Sequence, residues 1–214
     1  MKMLNKESIP ILDSAEHINS QRVAIILGFY NGNEFIQEQI MSILNQTHKN
    51  FILFITDDNS TEEICLSDLE ISEIDKEKIR IQKRAKNIGY QQNFLKALTA
   101  ITEPFDFYAF SDQDDIWFEK KIENAIKSLN KFDSSKPSLY GSRTDLIGEN
   151  KEIKLGKSIL FKRPPSFKNA LIQNIFGGNT MVFNKAAFDA ISKSYKKQKI
   201  TSHDWWCYQI ISGV

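Results

Sequence analysis

The sequence predicts an α/β domain with a central, mostly parallel mixed sheet flanked by helices. Three observations predict it. Short, continuous apolar runs recur along the first half of the chain, as in strands buried on both faces. Between them lie one-sided helical stripes, and the strand–loop–helix unit is met three times over. Several of the runs end in polar turns rich in Asp.

Residues 1–20 mix charge and polarity without periodicity and read as a loosely held arm, leaving 21–214 as one domain. Val23 to Leu27 is the first buried run, Gly28 to Asn33 is turn material, and Asn33 is placed to cap the next helix. That helix carries Phe35, Ile36, Ile40, Ile43 and Leu44 at helical spacing. Phe51 to Ile55 is a second strand, and Ser60 with Glu63 has the form of a capping box for a further helix. Ile79 and Ile81 alternate with polar residues as a third strand. Asn87 to Tyr90 is a loop before a helix striped by Phe94, Leu95, Leu98 and Ile101. Phe105 to Phe110 forms a strand, and Ile122, Ala125, Ile126 and Leu129 mark the helix after it. The second half changes character. Short strands are expected at Leu139-Tyr140 and Leu146-Ile147, with a turn at Gly148-Glu149-Asn150. A helix follows over Phe167 to Ile175, then a strand over Thr180 to Phe183 and a helix from Ala186.

Composition narrows the function classes. With 41% hydrophobic and 26% charged residues among 214, disorder and fibrous repeats are disfavoured. A net charge of +1 gives no global argument for nucleic-acid binding, and none is expected. No apolar run approaches the ~18 residues that span a bilayer, the first twenty residues lack the apolar core of a secretory signal, and two distant cysteines make no disulfide framework. A cytoplasmic setting is expected. The charge is unevenly spread: Asp57 to Glu77 carries nine acids and one base, whereas Lys151 to Ile200 carries eleven bases and two acids. The basic half can be a solvated face, or it can meet a phosphate or the anionic face of a membrane.

The chemistry concentrates at strand ends. In a parallel α/β sheet, ligands bind beyond the carboxyl ends of the strands, which brings Asp57, Asp58, Asp112, Asp114 and Asp115 to one edge. Five crowded carboxylates repel one another unless a cation or hydrogen-bond donors neutralise them. A hard divalent ion completed by substrate phosphates is the common solution.

Val23 to Ser60 (VAIILGFYNGNEFIQEQIMSILNQTHKNFILFITDDNS) resembles the opening of family 2 glycosyltransferases, which have the Rossmann-like GT-A fold. Asn87-Ile88-Gly89 with Asn93-Phe94, the DxD-like SDQDDIW at 111–117, GGNTMVFN at 177–184 and HDWW at 203–206 extend the resemblance over residues 22–212. The wording of DQDDIW and HDWW is most similar to bacterial rhamnosyltransferase-type enzymes of surface polysaccharide synthesis.

The resemblance implies roles. Tyr30 flanks the nucleotide base, and Asp58 accepts from its N3–H. Asp112 faces the ribose or metal, Asp114 coordinates Mg²⁺ or Mn²⁺ on the donor diphosphate, and Asp115 orders the loop. Gly177, Gly178 and Asn179 admit the sugar or acceptor, and Asp204 is the catalytic base. The implied reaction is inverting transfer from a nucleotide-diphospho sugar (dTDP-rhamnose first, a UDP-hexose second) to a saccharide or lipid-linked acceptor. It is expected at the inner face of the cell membrane, with a peripheral contact there. His203 either orients the base or is a buried structural residue. One of Trp205 and Trp206 is expected to line the acceptor site, and Arg84 and Lys86 either approach the diphosphate or face solvent. Gly28 stands where many relatives have a hydroxyl residue. The chain is expected to be cut short at its C-terminal end, and no QxxRW motif is present. A catalytically silent nucleotide-sugar-binding scaffold is the alternative, disfavoured by the joint presence of Asp114 and Asp204. A sugar nucleotidyltransferase is less favoured still, since Gly28 to Gly32 carries no Arg or Lys.

Overall fold

β1 (Val23–Phe29) is the axis of the molecule: apart from Gly28, its residues are buried, and it pairs in parallel with a strand on each side. The computed structural model describes residues 15–148 and 153–214, so residues 1–14 of the expected arm and part of the turn at 148–150 lie outside the described residues. On one flank of β1 lie β2 (Phe51–Asp57) and then β3 (Ile79–Lys83), both parallel to it. On the other flank lies β4 (Phe107–Ser111), also parallel, followed by the antiparallel β8 (Val182–Asn184) and then β5 (Leu139–Tyr140). The strand order 3-2-1-4-8-5 therefore reverses direction between β1 and β4, the place where open α/β sheets form their ligand crevice. A separate hairpin joins β6 (Asp145–Ile147) and β7 (Lys154–Lys157).

The period-2 rule divides β1 between two cores. Val23, Ile25, Leu27 and Phe29 pack on one face of the sheet with α2 (Asn33–Leu44) and α5 (Lys121–Leu129). Ala24 and Ile26 pack on the other with α4 (Tyr90–Ala100), α7 (Lys185–Ser194) and α8 (His203–Ser212). Each fully buried Ile, Leu or Phe contributes roughly 1.5–3 kcal/mol relative to exposure, which is why both faces read as apolar in sequence.

Several elements differ from expectation, each for a local reason. Residues 15–20 form a short helix, α1 (Ala15–Ser20), with Ile18 buried in the first core. Asn33 does not cap α2; Gly32 holds that position, and the Asn33 amide donates instead to Glu62 Oε2 at 2.9 Å. No helix starts at Ser60. Its hydroxyl and amide both donate to Asp57 Oδ1, at 2.6 and 2.8 Å, closing a turn that diverts the chain. The next α-helix is the single turn α3 (Glu73–Lys76), capped by Ser72. The helix expected over 167–175 is one turn, α6 (Phe167–Ala170). Beyond it Asn174 closes a local turn, accepting from the Phe176 amide at 3.1 Å and donating to its carbonyl at 2.7 Å. The strand expected from Thr180 begins at Val182, because Gly178–Thr180 forms a 3-10 turn with the Thr180 hydroxyl donating to the Gly177 carbonyl. Among the described residues, no helix is long and apolar enough to cross a membrane.

Candidate active site

The carboxyl ends of β1, β2 and β4 meet through side-chain clamps. The Tyr30 amide donates to Gln113 Oε1 at 2.8 Å, and Gln113 Nε2 returns a bond to the Tyr30 carbonyl at 3.3 Å. The loop after β1 is thus tied to the Asp-rich loop after β4. Tyr30 itself is 47% exposed at the rim, and Asn31, next to it, takes a left-handed φ of 48°. Gln113 was not singled out in the sequence, since nothing in its spacing separates it from its acidic neighbours.

Behind these loops, Asp57 and Asp58 do different work. Both are buried. Asp57 closes its own turn, as described. Asp58 accepts from the Ile88 and Gly89 amides at 2.9 and 2.8 Å, one to each carboxylate oxygen. It thereby fixes the entry to α4, where Gly89 has φ +83°, a conformation costly for any other residue. Arg84 packs close by, its guanidinium donating to Asn93 Oδ1 at 2.9 Å, while Asn93 also bonds Thr56. Lys86 is exposed. Gly28 is explained by packing: a Cβ there would lie 2.6 Å from Phe94 Cζ. Gly28→Ser should therefore lower stability by about 1–3 kcal/mol through overpacking, measurable as a drop in denaturation midpoint; an unchanged midpoint would refute that account.

Acidic groups converge after β4. Asp112 and Asp115 are half-buried and Asp114 is exposed. Burial, reinforced by the negative charges of Asp115, Asp114 and Asp204, pushes Asp112 up to about 7. Asp204, at the start of α8, therefore acts electrostatically on Asp112 although 92 residues away in sequence. Among the described residues, no three His, Cys, Asp or Glu side chains form a self-sufficient metal cage. An ion held by two carboxylates and substrate phosphates needs none, and a cation would offset the neighbouring negative charges that add to the effect of burial on Asp112. The donor set around Asp112 and Asp114 fits a hard divalent cation.

Lys121, absent from the sequence-based candidates, stands beside this cluster. Its ammonium donates to the Asn179 carbonyl and lies 3.4 Å from the centre of the Trp117 ring. Burial pushes it down to about 7, opposed by Asp115 and Asp112. Asn179 Nδ2 in turn donates to Asp115 Oδ2 at 2.7 Å. The Gly178 amide donates to Asp204 Oδ2 at 3.1 Å. The turn 177–180 so bridges the Asp-rich loop and Asp204. Its second glycine has a packing reason, since a Cβ on Gly178 would fall 2.7 Å from His203 Nε2.

Asp204 Oδ1 accepts from the Trp205 amide at 2.7 Å and from the Ser202 hydroxyl. Burial raises its proton affinity, and the Trp205 and Gly178 amides pull it back in part. His203 does not orient it through a hydrogen bond: neither ring nitrogen has a partner among the described residues. The imidazole is buried and stacks on Phe94 at 4.1 Å between centroids, with Phe110 edge-on at 4.9 Å. Burial pushes it down to about 3, so it is neutral at physiological pH. The unfolded chain then binds the proton first, and folded stability is lost as pH falls from about 6.5 toward 3. His203→Phe should flatten that acid limb by a few kcal/mol in pH-dependent denaturation; an unaltered slope would show that the acid limb has another source. Trp205 and Trp206 are both half-buried: the Trp205 indole donates to the Ala170 carbonyl at 2.7 Å, and Trp206 sits edge-on to Tyr195.

Residues 24–191 match the family described as Glycosyl transferase family 2. The chain belongs to that family. It is 38% identical over 108 residues to the "dTDP-rhamnosyl transferase RfbG" of Shigella flexneri, covering 47% of this chain and 35% of the relative. It is 33% identical over 129 residues to the "UDP-Glc:alpha-D-GlcNAc-diphosphoundecaprenol beta-1,3-glucosyltransferase WfgD" of Escherichia coli, covering 60% and 47%. The matches thus span less than half the length of these relatives. Among solved structures it resembles S. aureus TarS 1-349, with TM-score 0.61 and 18% identity over 89% of this chain and 55% of that one. It also resembles the mannosyltransferase PcManGT from Pyrobaculum calidifontis, solved with GDP-Man and Mn2+, with TM-score 0.57 and 18% identity over 87% and 50%. These neighbours share the GT-A fold, so this family 2 glycosyltransferase domain has the fold expected from its sequence.

Proposed function

We propose that this domain is an inverting, metal-dependent transferase. It moves a rhamnosyl or hexosyl group from a nucleotide-diphospho donor to a hydroxyl of a growing surface polysaccharide or lipid-linked saccharide. The observation that carries the reading is the turn 177–180, which bonds Asp115 of the acidic loop through Asn179 and Asp204 through the Gly178 amide, and so brings the loop after β4 and the start of α8 to one place. The names of two relatives, one a dTDP-rhamnosyl and one a UDP-glucosyl transferase, support those two donor classes. The second of these names a lipid-diphosphate acceptor, which supports a site of action at the inner membrane face.

In this reading Asp112 and Asp114 hold Mg²⁺ or Mn²⁺. When bound, the cation acts as a Lewis acid on the departing diphosphate, an effect of several kcal/mol. Tyr30 covers the base at the rim, and the buried Asp58 backs it while fixing the 87–89 loop. Gly177, Gly178 and Asn179 border the sugar and acceptor. Asp204 takes the acceptor hydroxyl's proton at its carboxylate; its raised proton affinity suits that task. One base and in-line attack on the anomeric carbon invert its configuration.

A melting-temperature screen of UDP, dTDP and GDP with and without Mn²⁺ tests donor binding. A nucleotide near a hundred times its Kd stabilises the fold by about 2.7 kcal/mol, roughly 5–10 °C for a domain of this size. Stabilisation by UDP or dTDP only in the presence of Mn²⁺ is expected. Equal melting temperatures in every well would contradict the reading.

A further inference from the structure

The stretch that leads from β7 to α6 is unlike the rest of the surface. From 153 to 168 every residue except Ser158 is exposed. Large apolar side chains stand in water along it: Leu155, Ile159 and Leu160, then Phe167, Leu171 and Ile172 in and after α6, with Ile159 at 75% and Ile172 at 78% exposure. Scattered apolar residues are normal on a surface, but a concentrated run of this kind marks an interaction site. The charge on the same stretch has one sign. Between 153 and 175 there are five bases (Lys154, Lys157, Lys162, Arg163 and Lys168) and no acid. Lys157 reaches Asp145 across the β6–β7 hairpin at 3.3 Å, and both are partly exposed.

We infer that this strip is a docking surface for an anionic phospholipid leaflet, with its Ile and Leu side chains entering the headgroup–acyl boundary and its Lys and Arg side chains meeting lipid phosphates. Bases interleaved with aliphatic side chains are the chemistry of an interfacial binder. Each base held near an anionic leaflet strengthens partitioning roughly fivefold. A second copy of the chain fits less well, because five bases with no acid would face their own image. Nucleic acid offers phosphates but nothing for exposed Ile and Leu.

The strip is mechanically tied to the candidate base. The Ser166 amide donates to the Tyr208 hydroxyl at 2.9 Å, and the Ala170 carbonyl accepts from the indole of Trp205, the residue next to Asp204. Gln209 Nε2 adds a second bond to Ala170 at 3.2 Å. Docking would therefore hold the Asp204 end of the cleft against the leaflet, where a lipid-linked acceptor presents its hydroxyl. That consequence rests on the proposed transfer reaction; the docking itself does not.

Co-sedimentation with vesicles of phosphatidylcholine alone, and of phosphatidylcholine and phosphatidylglycerol in equal parts, tests the inference. The protein should pellet with the anionic vesicles at low salt, be released as salt is raised, and stay in solution with phosphatidylcholine alone. Lys162→Glu with Arg163→Glu, and separately Ile159→Ser with Leu160→Ser, should each weaken pelleting at least tenfold. All four positions are exposed, so the melting temperature should hold. Nucleotide stabilisation is measured on the same samples. Its loss with pelleting intact counts against the transfer reading alone. Failure to pellet, wild-type pelleting by both variants, or a wild-type dimer that these substitutions dissolve would overturn the docking surface.

Discussion

Asp204→Asn should reduce sugar transfer by roughly 10²–10⁴-fold, the range that a positioned general base supplies. The substitution keeps the size of the side chain, and its one amide oxygen can still accept from the Trp205 amide at the start of α8. The Nδ2 that replaces Oδ2 cannot accept from the Gly178 amide, so that bond is lost, while the Asn179–Asp115 bond still holds the 177–180 turn. Donor binding should be unaltered, because the proton acceptor contributes nothing until the acceptor hydroxyl attacks. The effect then falls on kcat with little change in KM for the donor. Transfer assayed with a lipid-diphosphate-linked sugar acceptor, beside nucleotide titration by calorimetry, separates the two. Wild-type turnover would remove the assignment of the base.

Asp114→Ala should have the opposite pattern. Asp114 is the exposed carboxylate of the acidic loop and forms none of the hydrogen bonds that tie that loop down; Gln113 and Asp115 do that. Its loss should therefore leave the melting temperature of the free protein unchanged or slightly raised, since one repulsive charge beside Asp112 is gone. The gain in nucleotide affinity that Mn²⁺ confers should disappear, and activity with it. If Mn²⁺ still tightens nucleotide binding in this variant, the cation is held elsewhere.

The fold was legible because its rule is local and repeated. Buried parallel strands are apolar throughout, as in Val23 to Leu27, and the helices over them carry one-sided stripes, so each unit announces itself within about thirty residues. Two of the places where the reading went astray involve a short polar side chain that closes a local turn. The Asp57 carboxylate accepting from the Ser60 amide and Asn174 accepting from the Phe176 amide are the two cases, invisible to hydrophobic periodicity. Within the candidate site, Asp112, Asp114 and Asp204 could be named from their motifs. Gln113 and Lys121 could not, because their weight comes from partners distant in sequence, Tyr30 in one case and Asn179 in the other. Lys121 reads locally as the first residue of an amphipathic helix; only the fold sets it beside Asp112 and Asp115.

The central claim is that one cleft holds a divalent cation through the loop after β4 and presents a separate carboxylate from α8 to the acceptor. Crystals grown with Mn²⁺ and UDP or dTDP, read by anomalous scattering at the manganese edge, test it most directly. The account predicts a manganese peak within coordinating distance of an Asp114 carboxylate oxygen and beside the nucleotide's diphosphate. Asp204 should lie across the cleft and be free of the metal. A peak bound by other side chains, or Asp204 closed off from the bound nucleotide's diphosphate, would contradict it.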